Sequence, residues 1–322
     1  MAKVSVIIPV YNVEKYVAKC AESLFGQTLD DLEYIFVNDC TPDNSVGVIQ
    51  NVLKNFPQRR TQVNIINLEH NVGQAAVRKI GISAASGDYI IFCDGDDWVA
   101  KDMYECLYNK ALQEKADVVR CDFLRTTNSQ SFRCLQIPLG AYADKELLIS
   151  YLLRFFDLSS TCDKLVKREL YQAEDFVYPT DNMCEDLLFI TQIFLRANKI
   201  VYLDKALYYY RQNESSISHI VTLEHICNKA EQIAANVNKV DYILSQHYGN
   251  RFANKEILVA KLMAKEAYRP LIHAPEVYLL WKNCFKEINS KILFNSAISW
   301  RKKLLFVLCY LKIYPLFNRI LG

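Results

Sequence analysis

Three carboxylates within four consecutive residues, Asp94-Gly95-Asp96-Asp97, carry the clearest chemical signal in the sequence. They directly follow the apolar run Tyr89–Cys93, which has the composition of a buried strand. Partly buried carboxylates this close together repel one another, and a divalent cation removes that repulsion. Mg²⁺ and Mn²⁺ prefer oxygen ligands, and a magnesium site usually combines one or two carboxylates with a substrate phosphate. The cluster therefore indicates a metal ion, Mn²⁺ or Mg²⁺, that holds a phosphorylated substrate.

A plain turn explains the same four residues without any chemistry. Asp-Gly is a common turn pair, and Asp97 could cap a helix that begins shortly after it. The segment taken by itself therefore leaves both interpretations open.

The composition is that of a globular protein with a sizeable core. Of the 322 residues, 51% are hydrophobic and 23% are charged, and the net charge of +2 gives no reason to expect a nucleic-acid partner. Eleven cysteines occur without a CxxC pair, and several lie in apolar runs, which predicts buried thiols in a reducing compartment and no zinc site. The first residues lack the pattern of a signal peptide, and no uncharged run of 18 apolar residues occurs. We therefore expect a cytoplasmic location without a spanning helix.

The first 125 residues alternate between strand and helix patterns. The predicted strands are residues 4–9, 33–38, 63–68, 89–93 and 117–124, and the predicted helices are residues 13–25, 45–55, 73–84 and 103–115. This alternation predicts an α/β fold with a mainly parallel sheet flanked by helices. Polar groups follow three of the strands, at Tyr11-Asn12, at Asn38-Asp39 and at the acidic cluster. Because ligands bind outside the carboxyl ends of parallel strands, we expect these groups to share one crevice, which favours the metal site over the turn.

The rest of the chain is predicted to be mostly helical. Residues 126–222 show irregular connections, helices at 145–156, 164–172 and 185–197, and a strand at 200–210. Helical patterns of mixed polarity follow, the longest at residues 223–248 and 256–268.

The final segment, residues 299–322, is basic, aromatic and strongly apolar. Trp300 precedes three adjacent cations, and a dense apolar stretch follows them. Helices that lie on membrane surfaces have such residues, although a helix packed on the domain core is the ordinary alternative. We expect this segment to contact the inner face of the membrane.

Six motifs occur in order along the chain: Val4–Asn12, Phe25–Thr28, Val37–Ser45, Asn71–Gly81, Asp94–Asp97 and Glu185-Asp186. Each motif alone is weak, but their order and approximate spacing resemble the inverting family 2 glycosyltransferases of the GT-A fold, of the bacterial polysaccharide type. Asn38 stands where that family usually has an acid, and Cys40 replaces a glycine, whereas Asp39 is retained.

The resemblance implies a division of the chain into domains. Residues 1–222 would form the GT-A catalytic domain, with a nucleotide-sugar half at 1–125 and an acceptor half at 126–222. Residues 223–322 would form a helical C-terminal extension that ends in the basic aromatic segment.

The resemblance also implies roles for residues at the strand ends. Asp39 would accept a hydrogen bond from the nucleotide base, in particular the imide of uracil, with Pro9 and Tyr11 lining that pocket. An Asx-type turn is the alternative for Asp39. Arg78 would reach the diphosphate, or else form a surface or intra-sheet ion pair.

The acidic cluster would hold the metal and the sugar nucleotide. Asp96 would be a metal ligand, Asp94 would hold the metal or the ribose, and Asp97 would orient the loop or the sugar. Arg211 and His219, which follow the last predicted strand, could reach phosphate or metal, and they stay outside the catalytic set.

Asp186 would be the general base, with Glu185 beside it to raise its pKa. Acidic residues in the first turn of a helix also interact favourably with the helix dipole. The start of a helix therefore explains both acids, and only the family resemblance favours a catalytic role for them.

The resemblance implies a metal-dependent, inverting glycosyltransferase. It would move a hexosyl or N-acetylhexosaminyl group from a UDP-linked nucleotide-sugar to a glycan or lipid-linked acceptor in polysaccharide synthesis. A nucleotidyltransferase is one alternative, but it would need a glycine-rich basic loop after the first strand, and Pro9–Glu14 contains no glycine. A catalytically silent scaffold of a polysaccharide assembly is another, and the intact acids Asp39, Asp94, Asp96 and Asp186 argue against it.

Overall fold

A single sheet organises the strands of this computed structural model, which describes residues 2–127, 130–133, 137–212, 222–249 and 255–314. Within those residues the sheet has nine strands. They are β1 (Val4–Val10), β2 (Leu32–Asn38), β3 (Val63–Asn67), β4 (Tyr89–Phe92), β5 (Trp98–Val99), β6 (Val118–Thr126), β7 (Ser131–Arg133), β8 (Lys164–Lys167) and β9 (Ile200–Arg211).

Helices connect the strands and form most of the C-terminal part. They are α1 (Val17–Phe25), α2 (Ser45–Leu53), α3 (Gln74–Ala84), α4 (Met103–Glu114), α5 (Lys145–Arg154), α6 (Arg168–Tyr171), α7 (Glu185–Arg196), α8 (Leu223–Tyr248), α9 (Ile257–Ala267), α10 (Pro275–Asn283) and α11 (Trp300–Tyr310).

The sheet is parallel on one side and mixed on the other. Its order is β3-β2-β1-β4-β8-β6-β9-β5, and β7 pairs with β6. The first four strands are parallel, as are β6 and β9, whereas β8, β5 and β7 run antiparallel to their neighbours. The predicted α/β class with a mainly parallel, helix-flanked sheet is therefore confirmed.

Strands β1 and β2 are buried on both faces, which explains their continuous apolar runs. Val6 and Ile8 of β1 join Phe36 of β2 in one core. Ile7 points to the other face, where α3 approaches it closely, since a Cβ on Gly81 would lie 2.3 Å from the Ile7 Cγ2. The close approach of α3 to β1 therefore requires a residue without a side chain at position 81.

The helix predicted at residues 164–172 is wrong in its first half. Residues 164–167 form β8, which lies between β4 and β6 and pairs Val166 with Ile90 and Lys167 with Tyr89. The four-residue run is too short to show a period, and pairing with distant strands decides its conformation. The two-residue strand β5 was also not predicted from the sequence.

The chain divides into two compact units. The first is Met1–Leu148, Asp157–Thr180 and Phe189–Asn213, and it contains the nine strands described above. The second is Ile149–Phe156, Asp181–Leu188 and Glu214–Gly322. A domain boundary at residue 222 stays a prediction.

The second unit has its own apolar core, in which Trp281 of α10 packs with Phe306 of α11 and with Leu258 and Leu262 of α9. Searched over the described ranges, the chain has no helix with the length and apolar character needed to cross a membrane.

Candidate active site

The loops after β1 and β2 are joined by hydrogen bonds at the carboxyl edge of the sheet. The Asn12 amide donates to the Thr41 hydroxyl at 2.8 Å, and the Glu14 amide donates to Asp43 at 2.9 Å. Asp43 also accepts from the hydroxyl of Thr41 and the amide of Ser45. Asp43 thus organises both loops, a role that the sequence pattern did not reveal.

Pro9 and Tyr11 lie where this pair of loops begins. Pro9 is half-buried in β1 and pairs with Val37, whereas the Tyr11 side chain is 44% exposed. An exposed ring next to polar loops offers a surface on which a planar base can stack.

Asp39 holds the turn that precedes α3. It is 4% exposed, and its two carboxylate oxygens accept from the amides of Val72 at 2.7 Å and Gly73 at 3.0 Å. Gly73 has φ 84°, a conformation that favours glycine. A carboxylate has about four acceptor positions, so these two bonds leave capacity for a ligand.

Arg78 and Asp94 come together beside this turn. The Arg78 side chain is buried, and its Nη2 lies 3.6 Å from Oδ1 of the half-buried Asp94. The guanidinium also lies 5.4 Å from the centre of the Phe92 ring. Arg78 therefore forms an ion pair, but the pair joins α3 to the loop after β4, whereas the sequence suggested a pair at the surface or within the sheet. It places a cation next to the acidic cluster.

Asp97 joins the acidic cluster to the end of β9. It is 1% exposed, and its carboxylate accepts from the Tyr208 hydroxyl at 2.6 Å and the Arg211 amide at 2.7 Å. The Tyr208 hydroxyl in turn accepts from the Asp94 amide at 3.1 Å. Burial, and then the charges of Asp96 and Asp94, raise the pKa of Asp97 well above its usual range. This geometry favours a role for Asp97 in orienting the loop.

Gly95 lets the acidic loop pack against the loop after β1. A Cβ at this position would lie 3.0 Å from the Pro9 carbonyl oxygen and 3.2 Å from a methyl group of Val13. The glycine therefore allows the Asp94–Asp97 loop to approach the β1 edge closely.

Asp94 and Asp96, the residues predicted to bind a metal, lie close enough for the charge of one to affect the other. Burial, and next the charge of Asp94, raise the pKa of Asp96 to about 6. Across the described ranges, no group of three or more His, Cys, Asp or Glu side chains is arranged to hold a metal. Two carboxylates suit a cation that takes its remaining ligands from phosphate and water, and its charge would relieve their repulsion.

Arg211 lies next to this pair, because its Nε donates to the Asp96 carbonyl at 3.0 Å. His219 lies outside the described residues.

The segment that leads to Asp186 belongs to the second unit. Helix α7 begins at Glu185, which is buried, and Asp186 is half-buried. The Asn236 side-chain amide of α8 donates to the carbonyls of Asp181 at 3.0 Å and Met183 at 2.9 Å. The sequence analysis did not identify Asn236, because no local pattern indicates its contacts with a segment more than fifty residues away.

This chain is similar to known glycosyltransferases in sequence and in fold. A family model described as "Glycosyl transferase family 2" matches residues 5–158. The uncharacterized glycosyltransferase EpsJ of Bacillus subtilis is 32% identical, over 79% of this chain and 73% of EpsJ.

Two solved structures share the fold. One is residues 1–349 of TarS, a Staphylococcus aureus poly(ribitol-phosphate) beta-N-acetylglucosaminyltransferase, in complex with UDP-GlcNAc (TM-score 0.58, 21% identity, 97% of this chain and 88% of that one). The other is a Pyrobaculum calidifontis mannosyltransferase with GDP-Man and Mn²⁺ (TM-score 0.55, 15% identity, 97% and 86%).

The fold is therefore GT-A, and the protein is a glycosyltransferase. The chain belongs to glycosyl transferase family 2, as its sequence motifs predicted.

The bridge made by Tyr208 predicts a measurable loss of stability. Tyr208→Phe removes the hydroxyl between Asp94 and the buried Asp97, and leaving a buried polar group without a hydrogen-bond partner costs about 1–3 kcal/mol. We expect denaturant titration to show a loss of that size. The matched control is Tyr209→Phe, which keeps the ring stacked on Trp98 and should change stability by less than about 0.5 kcal/mol. Equal effects of the two substitutions would contradict the bridge.

Proposed function

We propose that this glycosyltransferase moves a hexosyl or N-acetylhexosaminyl group, with inversion, from a UDP-sugar to a glycan or lipid-linked acceptor in polysaccharide synthesis. The observation that carries this proposal is the gathering of Asp39, Arg78, Asp94 and Asp96 around the carboxyl ends of β1, β2 and β4. The complexes of TarS with UDP-GlcNAc and of the archaeal mannosyltransferase with GDP-Man and Mn²⁺ support it by analogy. The catalytic domain is proposed to span residues 1–222.

In this proposal the first unit binds the donor. Tyr11 and Pro9 form the wall of the base pocket, and Asp39 accepts from the base while it holds the turn before α3. Arg78 supports Asp94 and places positive charge near the diphosphate. Asp97 orients the loop through Tyr208 and Arg211.

Asp94 and Asp96 would hold Mn²⁺ or Mg²⁺. Such an ion, when bound, neutralises the charge that develops on the departing nucleoside diphosphate. Arg78 lies beside the Asp94 carboxylate, and the backbone of the loop that carries both acids is held by contacts with Tyr208 and Arg211.

Asp186 is proposed as the general base. It would take the proton from the acceptor hydroxyl as that oxygen bonds to the anomeric carbon, and the bond from that carbon to the diphosphate oxygen breaks on the opposite side. Glu185 begins the same helix, and Asn236 holds the backbone just before it.

Donor binding can be tested by calorimetric titration. We expect one of UDP, GDP, TDP and CDP, in the first place UDP, to bind in a manner that depends on Mn²⁺. Asp96→Asn should remove the metal dependence and weaken binding at least tenfold, because it removes one of two anionic ligands. Asp175→Asn, which alters an exposed carboxylate of the same unit, is the control. Folded protein that binds none of the four nucleotides would favour the scaffold alternative.

The base assignment predicts a separation of binding from chemistry. Asp186→Asn should lower the rate of sugar transfer about 10²–10⁴-fold, the usual contribution of a positioned base. Affinity for the nucleotide should stay within about twofold of the wild type, because Asp186 is not in the donor set. Transfer at a normal rate by the variant would show that another group takes the proton.

Membrane contact is proposed for the C-terminal helix α11, at the inner membrane face. Phe306 and Cys309 pack into the core of the second unit, so the ordinary core-helix interpretation holds for that side. Trp300, Leu304 and Leu311 are 69%, 45% and 59% exposed, and the helical period puts them on one face. Arg301 and Lys303 lie on the flanks of that face, as in helices that bind anionic lipids. Residues 315–322 of the predicted segment lie outside the described residues.

Vesicle sedimentation tests this face. Substituting both Trp300 and Leu304 by Ser should weaken binding to phosphatidylglycerol vesicles at least tenfold, since each side chain contributes about 1.5–3 kcal/mol when it leaves water. Leu112→Ser, an exposed leucine of the first unit, should leave binding unchanged. Unchanged partitioning of the double variant would remove α11 from the membrane proposal.

A further inference from the structure

Two cations lie on one tryptophan beside the acidic cluster. The Lys19 ammonium is 3.2 Å from the centre of the Trp98 ring, and the Arg211 guanidinium carbon is 5.0 Å from it. Arg211 also lies 4.9 Å from the Tyr16 ring, and Trp98 stacks on Tyr209 with ring centres 5.4 Å apart. Lys19 and Arg211 are named below as the Trp98 cation pair.

The two charges are close enough to affect each other. Partial burial, and then the charge of Arg211, lower the pKa of Lys19. In the described part of the chain, neither side chain has an ion pair with a carboxylate within 4.0 Å. Like charges held together repel one another, and the cation–π contacts with Trp98 and the nearby charge of Asp96 offset only part of that repulsion. A bound anion would remove it.

The position of Arg211 relative to the acidic cluster is set by backbone contacts. Its amide donates to Asp97, and its Nε donates to the carbonyl of Asp96. Those bonds leave the two terminal nitrogens of the guanidinium with donors to spare. An anion bound there would lie next to Asp96, the proposed metal ligand.

We propose that the Trp98 cation pair binds the diphosphate of the sugar nucleotide, with Lys19 as a binding residue from α1 that no sequence motif indicated. This inference rests on the proposed function and adds a residue to its donor site. As the bond from the anomeric carbon to the diphosphate breaks, its electron pair stays on the phosphate oxygen. The acceptor oxygen forms the new bond to the same carbon, and its proton passes to the base. The pair stabilises the charge that remains on the leaving group.

A phosphate group of the acceptor has the same chemistry as the donor's diphosphate, so the test must separate the two sources. We would titrate the tightest-binding nucleoside diphosphate, its monophosphate, inorganic pyrophosphate and glycerol phosphate into wild type and Lys19→Met. Trp98 lies in the site, so its fluorescence gives a second readout. Lys19→Arg keeps the charge, and Lys54→Met removes another exposed lysine, the residue that follows α2.

We expect Lys19→Met to weaken the binding of the nucleoside diphosphate and of pyrophosphate at least tenfold, and the binding of the monophosphate less than threefold. Lys19→Arg should remain within threefold of the wild type, and Lys54→Met should change nothing. If Lys19 only packs on Trp98, the Met variant will bind both nucleotides as the wild type does, and the proposal is wrong. A loss confined to glycerol phosphate would assign the pair to the acceptor and overturn it equally.

The proposed function and this inference can fail separately. If the wild-type protein binds pyrophosphate in a Lys19-dependent way but binds no nucleoside diphosphate, the diphosphate site is supported and the nucleotide donor is ruled out. If the wild-type protein binds a nucleoside diphosphate and Lys19→Met does not change the affinity, the nucleotide donor is supported and the role of the Trp98 cation pair is ruled out.

Discussion

The geometry of the candidate donor site depends on one buried carboxylate, that of Asp97. A polar group buried in that position is unfavourable unless it is hydrogen-bonded, and the Tyr208 hydroxyl and the Arg211 amide donate to it. Both donors come from β9, which also pairs with β5 just after the acidic cluster. The loop is therefore held by strand pairing and by side-chain contacts together. The backbone that carries Asp94 and Asp96 is consequently held before any ligand arrives, and such preorganisation favours electrostatic stabilisation.

Four aspartates with the same intrinsic chemistry have different surroundings at this edge of the sheet. Asp39 is engaged by two backbone amides, and Asp97 is buried between β9 donors. Asp94 is half-buried beside Arg78, whereas Asp96 lies next to the charge of Asp94 and has a raised pKa. The first two are suited to holding loops, and the last two are suited to a cation. The burial of each aspartate and its hydrogen-bond donors, more than its residue type, determine whether it is suited to holding a loop or to binding a ligand.

The parts of the fold that were predictable are those with local signals. Strands and helices of the first 125 residues have clear periods and polar ends, so their order and the polar residues that follow the strands can be predicted from the sequence. Strand β8 was missed because Lys164 looks like an exposed helical residue. In the structure Lys164 is fully buried, where it donates to Asp163 and to the Ser160 carbonyl, while Arg120 pairs with the same carboxylate. Such a network depends on contacts between distant segments, and no local pattern contains them.

The same limit applies to the proposed base. No motif was found after residue 222, which makes the later helices look like an addition to the catalytic domain. Yet Asn236 of α8 is fully buried and donates to two carbonyls of residues 181–183, just before α7. A backbone segment without regular structure needs such partners to keep one conformation, because its own amides and carbonyls form no ladder. The C-terminal helices therefore belong to the structure that positions Asp186, and a chain ended at residue 222 would lose those two bonds.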